Sequence, residues 1–236
     1  MKTRFWIGLV GLLLPLSLTA QHYYRLRTDM TVKKKNFDGT FSLTKGTVYY
    51  DNITGKLVMN LWFPQKETYV MKGNMVYVFK DGKLVKSYQN PAPPETTIFA
   101  LALKNNLKYY GLENSGYRLT DIEEDDGMVI STWLPPENLQ KAAGKLMIAN
   151  KNGHITGIVF FSITDPDKVV SKQFFENYQT VQGIPFPTKM VQFFYDKNGR
   201  EAIQQTEFKN IVIDEKGNDR FYDYPLAPYA AAAGTK

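Results

Sequence analysis

Cysteine is absent from all 236 residues. That excludes a disulfide framework, a thiolate metal site and lipid attachment through an N-terminal cysteine. Histidine is nearly as scarce: His22 stands near the start and His154 beside a turn, and neither is placed as a general base or metal ligand. The chain has no Gly-rich strand-to-helix phosphate loop and no G-x-S-x-G elbow. The acidic run Glu123-Glu124-Asp125-Asp126 lacks the alternating ligand spacing of a dedicated calcium loop and reads as a solvated turn. No residue can be nominated for catalysis, no cofactor is implied, and a non-enzymatic protein is expected.

Long hydrophobic runs are also missing beyond residue 20, where the longest is IFALAL, well below the roughly 20 residues of a membrane-spanning helix. Charge of one sign does not dominate. Removing Lys2 and Arg4 from 29 basic residues leaves 27 against 23 acidic ones, a formal +4. The lysines are scattered apart from Lys33-Lys34-Lys35, which reads as solvation of a strand end, so a nucleic-acid partner is not expected.

What is present begins with Lys2 and Arg4, then the apolar run FWIGLVGLLLPLSL and Thr19-Ala20 before Gln21. A basic start, a short apolar core and a small residue at its end are the layout of a secretory signal peptide. Residues 1–20 are expected to be removed, leaving a soluble, non-lipidated domain over 21–228 and an untethered tail over 229–236.

From Tyr23 onward, apolar residues alternate with period two and turn residues recur at short intervals, the antiparallel signature. Asp81-Gly82 and Asn152-Gly153 suit tight hairpins because both positions tolerate positive φ. The segment RFYDYPLAP reads as a last strand. The pattern predicts about eleven strands in a mainly β fold, a single strongly curved antiparallel sheet forming an open, unclosed barrel.

One segment breaks the rule. PAPPETTIFALALKNNLKYYG, residues 91–111, has helix grammar, with Pro94 and Glu95 in the first turn and Gly111 as a stop. Ile98, Phe99, Leu101 and Leu103 cover more than one helical face, and Leu107 extends the row from Phe99 and Leu103 at spacing four. Such a helix is either a plug that completes the core or a lid over a cavity that holds a lipid chain. The strands bear on the choice. Leu57, Met59, Leu61 and Phe63 share one face of KLVMNLWF, with Val58 and Trp62 on the other, and in ITGIVFFSI the residues Ile155, Val159, Phe161 and Ile163 oppose Ile158 and Phe160. Both faces are partly apolar, and adaptable methionines such as Met59 and Met71 add to them. The expected lipid-binding cavity and lid therefore comprise Met59, Leu61, Phe63, Met71, Ile98, Phe99, Leu101, Leu103, Leu107 and Phe161. Another reading is a non-catalytic periplasmic or surface β-sheet module that binds a protein or glycan through exposed Tyr49, Tyr50, Tyr109 and Tyr110.

The order TKGTVYYD, KLVMNLWFPQKETYVMKGNMVYVFKDGKLV, one helical segment, then GIPFPTKM and RFYDYPLAP resembles the LolA/LolB-type outer-membrane lipoprotein carriers, in particular their lipoprotein-sorting branch. The likeness covers nearly all of the mature chain. It rests on Gly46, on Pro64 with Glu67 and Val70, on Gly73 before Tyr77, and on Phe175-x-x-Tyr178 leading into Gly183-Ile184-Pro185-Phe186-Pro187. It implies a periplasmic, monomeric carrier whose hydrophobic interior takes lipoprotein acyl chains from an inner-membrane donor to an outer-membrane acceptor. In one place the chain departs from the pattern. Many members carry Arg-Trp shortly before the residue matching Pro64, where this chain has Val58-Met59, so the arginine latch of lid closure does not carry over.

Overall fold

The computed structural model describes residues 23–226; the expected signal peptide and tail lie outside the described residues. Thirteen strands pair antiparallel in one sheet: β1 (Arg25–Lys35), β2 (Phe41–Asp51), β3 (Lys56–Phe63), β4 (Glu67–Lys72), β5 (Met75–Lys80), β6 (Lys83–Gln89), β7 (Arg118–Asp125), β8 (Met128–Leu134), β9 (Leu146–Lys151), β10 (His154–Phe161), β11 (Val169–Val181), β12 (Ile184–Tyr195) and β13 (Glu201–Ile213). The expected eleven falls two short of the thirteen strands present. Asp81-Gly82, Asp126-Gly127 and Asn152-Gly153 all hold positive φ at both positions, the backbone that tight hairpins demand.

The strand order is β6-β5-β4-β3-β2-β1-β13-β12-β11-β10-β9-β8-β7. The first strand pairs with the last at the centre, and β6 and β7 are the two free edges. The sheet is thus unclosed, as the alternation implied. This order has a further consequence: the chain must cross from one edge of the sheet to the other between Gln89 and Arg118. It does so over one face, which we call the inner face. There α1 (Ile98–Leu103) packs against β1 and β12, close to the middle of the sheet, with all six residues buried.

The helix is shorter than its sequence grammar suggests. A 3-10 turn at Pro94–Thr96 is followed by extended Thr97, and α1 stops at Lys104 before Asn105, which turns left-handed at φ 54°. Leu107 lies past the helix but remains buried in the same core. The row at spacing four is broken by Asn105, one of the few residues that tolerate that backbone.

The outer face carries a second, smaller core, formed where a strand was expected. Residues 219–222 are a short helix, α2 (Asp219–Tyr222), packed on the outside of β2 and β3. One helical turn lets the adjacent rings of Phe221 and Tyr222 both meet Tyr49, the first stacked and the second edge-on, each with ring centroids 5.2 Å apart. An extended chain would send them to opposite sides. Val58, Val70, Tyr77 and Phe79 complete this cluster with Leu226. Lys56, itself buried, is held by the Asp223 carboxylate and donates to the Tyr224 carbonyl at 2.9 Å. The two-faced apolarity of β3 is thereby accounted for: Leu57 faces the inner core and Val58 faces the α2 cluster.

Two register shifts move side chains off their expected faces. Between Ile155 and Gly157 the β9–β10 pairing slips by one residue, so Ile155 and Ile158 both enter the inner core instead of opposing each other. On β3, Leu61 pairs with Gly46 and Phe63 with Lys45, leaving Trp62 as the extra residue of a bulge. Directly paired residues share a face, so Phe63 turns away from the row of Leu57, Met59 and Leu61. Gly46 is what lets the bulged strand come close. A Cβ there would stand 2.6 Å from Leu61 Cδ2 and 2.7 Å from the Asn60 carbonyl oxygen.

Candidate functional site

Inner-face burial changes along the strands. On β1, Leu26 and Thr28 are sealed while Met30 and Val32 are half-buried; on β3, Leu57 is sealed while Met59 and Leu61 are half-buried. The partly open residues lie toward the end of the sheet where β1 turns into β2. Here a pocket of about 410 Å³ separates the sheet from α1, within the ~300–1,000 Å³ range of small-molecule sites.

Seven consecutive strands line it. Tyr69 comes from β4, Met59 and Leu61 from β3, Thr44 from β2, and Met30 and Val32 from β1; β13 gives Gln204, Thr206 and Phe208, β12 gives Met190 and β11 gives Gln173. Ile98 and Phe99 of α1, with Thr97 and Tyr110, form the opposite wall. Seven flat strands at ~4.8 Å spacing would spread over about 29 Å. Their meeting around one pocket demonstrates the strong curl of the sheet.

The wall carries no Asp, Glu, Lys, Arg or His. Seven of the fifteen lining residues carry a polar side-chain group, and Tyr69, Thr97, Tyr110 and Gln173 have hydrogen-bond partners for theirs. The Gln173 amide donates to Met190 Sδ at 3.6 Å, and the Tyr69 hydroxyl donates to Glu67 Oε2 at 3.0 Å. Burial pushes the Tyr110 hydroxyl above the usual phenol range, partly offset by a hydrogen bond with Gln173. Burial raises Tyr69 as well, and the Glu67 contact adds to it. Both phenols therefore stay neutral over the physiological range. The pocket is an uncharged hollow with two methionines from facing strands, Met59 and Met190, and a third from β1, Met30, interspersed with amide and hydroxyl groups.

The helical wall is fixed from behind. Phe99 stacks on Phe186 with centroids 6.1 Å apart and meets Phe208 edge-on at 5.5 Å, while Phe186 and Phe208 meet at 5.7 Å. Each such pair contributes ~0.5–1.5 kcal/mol beyond area burial. Phe186 belongs to the Gly183–Pro187 stretch. Nearby, Phe175 packs on Tyr110 at 6.1 Å, and Tyr178 stacks on His154 at 4.8 Å while donating to the Ile155 carbonyl at 2.8 Å.

Of the ten side chains expected at the site, Met59, Leu61, Ile98 and Phe99 line the pocket. Leu101, Leu103 and Leu107 lie in the inner core behind it, with Met71 packed against that core. Phe63 is exposed, and Phe161 is half-buried with Lys145 Nζ 4.2 Å above its ring. Sequence reasoning missed Met30, Val32, Met190 and Phe208. On β13 the inner row is Ala202, Gln204, Thr206 and Phe208, a mixed pattern that does not register as an apolar face. The four tyrosines considered as an external strip do not form one: Tyr50 is fully buried, Tyr49 lies under α2, and Tyr109 and Tyr110 pack on the inner core.

The chain finds no match among protein-family models or curated sequences. Solved structures do resemble it. A LolA superfamily protein from Nitrosomonas europaea aligns over 85% of this chain and 91% of its own, at 11% identity and a TM-score of 0.59. A DUF1329 family protein from Desulfovibrio piger aligns over 86% and 90%, at 13% identity and a TM-score of 0.60. A domain described as outer membrane lipoprotein-sorting, from Vibrio parahaemolyticus, aligns over 84% and 89%, at 10% identity and a TM-score of 0.60. At such identities the likeness is one of architecture: the chain shares the fold of these three structures.

Proposed function

We propose that this protein is a non-catalytic periplasmic carrier that holds lipid acyl chains, those of lipoproteins first among them, in the pocket beside α1. The observation that carries this reading is the pocket of about 410 Å³ walled entirely by uncharged side chains. An acyl chain gains ~0.8 kcal/mol per buried methylene, so a long chain amounts to the order of 10 kcal/mol that has to be shielded from water in transit. The likeness to lipoprotein-sorting and LolA-type structures and the signal-peptide layout of residues 1–20 both support it.

In this reading α1 acts as a lid that competes with cargo. Phe99 and Ile98 occupy space an acyl chain also seeks, which lowers the holding free energy and eases release to an acceptor. With Val58-Met59 in place of an Arg-Trp pair, closure rests on aromatic packing against Phe186 and Phe208 and uses no ionic latch. The test is titration with an uncharged fluorescent acyl probe. Leu61→Glu places a carboxylate in the pocket at a half-buried position, and it is expected to weaken binding at least tenfold while leaving the melting temperature within a few degrees. Unchanged probe affinity in that variant would refute the assignment.

A further inference from the structure

The pocket end of the N-terminal half carries exposed aromatics that the core does not use. Phe41, at the start of β2, is 80% exposed and Phe37 in the preceding turn is 39% exposed; Trp62 and Phe63, at the end of β3, are 48% and 44% exposed. Strand β3 stops opposite Lys45, so β2 runs on for four residues without it, a projection of about 13 Å. Lysines interleave with these rings. In segments 33–45, 62–67 and 80–83 there are seven lysines (33, 34, 35, 45, 66, 80, 83) against Asp38, Glu67 and Asp81, and 7 − 3 gives +4. Lys33 pairs with Glu207 at 3.5 Å, whereas Lys34, Lys35 and Lys66 make no ion pair among the described residues. The opposite end of the same half differs. Its turns, 51–56 and 72–75, hold two lysines, one aspartate and a single large exposed apolar residue, Ile53.

We infer that this rim docks the protein on a bilayer surface bearing anionic headgroups, Phe37, Phe41, Trp62 and Phe63 entering the interface and Lys34 and Lys35 meeting the phosphates. Aromatic rings settle at the headgroup level, lysines add attraction to an anionic leaflet, and the combination is the usual signature of interfacial binding. Its position matters as much as its composition. The rim borders the half-buried end of the pocket, so a chain leaving the bilayer would enter the hollow without crossing water. This part rests on the carrier reading; the docking itself does not.

The experiment is flotation with phosphatidylglycerol-containing vesicles, read together with quenching of Trp62 fluorescence by brominated acyl chains. The protein is expected to float with anionic vesicles and much less with pure phosphatidylcholine, and its quenching should vanish in Trp62→Phe. Phe37→Ser with Phe41→Ser should abolish flotation while acyl-probe uptake persists, and Lys34→Ala and Lys35→Ala should each weaken flotation about fivefold. Ile53→Ser, at the other end, should change nothing. No flotation of the wild-type protein, or equal loss in Ile53→Ser, overturns the docking surface. Loss of probe uptake in Leu61→Glu with flotation intact separates the fate of this inference from that of the pocket.

Discussion

Phe99 and Phe186 stack with their planes 19° apart and their centroids at 6.1 Å, joining the crossing helix to a strand of the opposite half of the chain. The contact holds α1 against the sheet while leaving one side of Phe99 on the pocket. Removing the ring should cut both ways. Phe99→Ala is expected to destabilise the protein by about 3–5 kcal/mol, seen as a lower denaturation midpoint. It should also bind long acyl probes more tightly relative to short ones, because the space returned to the pocket is hydrocarbon-lined. Lost stability without any change in chain-length preference would make Phe99 a core residue only.

Gly46 faces Met30 on one side and Leu61 on the other. A methyl group there collides with the Asn60 carbonyl as well as with the Leu61 side chain, and a backbone oxygen cannot swing aside. Gly46→Ala should cost about 1–3 kcal/mol and disturb probe binding through Leu61. Denaturant titration measures the first effect and probe titration the second.

The outer core gives an independent prediction. Tyr222 is fully buried, donates to Glu215 Oε2 at 3.1 Å, meets Tyr49 edge-on and lies 4.8 Å below the Arg25 guanidinium. Tyr222→Ala should cost about 3–5 kcal/mol and raise binding of an apolar dye as Tyr49 and Val58 lose cover. Acyl-probe affinity in the folded fraction should stay unchanged, since the cluster lies on the other face of the sheet.

Binding should also be indifferent to pH. No carboxylate, amine or imidazole lines the pocket, and the phenols of Tyr69 and Tyr110 are both raised, chiefly by burial. A neutral acyl probe should therefore bind equally from about pH 5 to about pH 9. A step in affinity inside that window would reveal an ionisable group in contact with cargo.

Much of this was legible in the sequence, for physical reasons. Alternation with period two and left-handed pairs such as Asp81-Gly82 locate the strands, and signals this local survive folding. The apolar segment around Phe99 is conspicuous because water permits such a helix only under cover. What escaped depends on register. The bulge at Trp62 that turns Phe63 outward, and the slip that brings Ile155 beside Ile158, arise from pairing between strands and leave no mark in either strand alone. Asn105 ends the helix early by taking a backbone that its composition permits but does not dictate. Phe221 and Tyr222 read as a strand because aromatic residues favour strands, and only the presence of Tyr49 opposite them rewards a helical turn. The pocket wall itself is assembled from seven strands, so its mixed rows on β1 and β13 become a surface only when the sheet curls.

The central claim is that hydrocarbon occupies the hollow between α1 and the sheet. Its most direct test is a crystal structure with an acyl amide carrying a terminal bromine, located by anomalous scattering. The account predicts one strong peak among Met59, Met190 and Phe99. A peak confined to the outer face, or none at a concentration that saturates binding in solution, would contradict it.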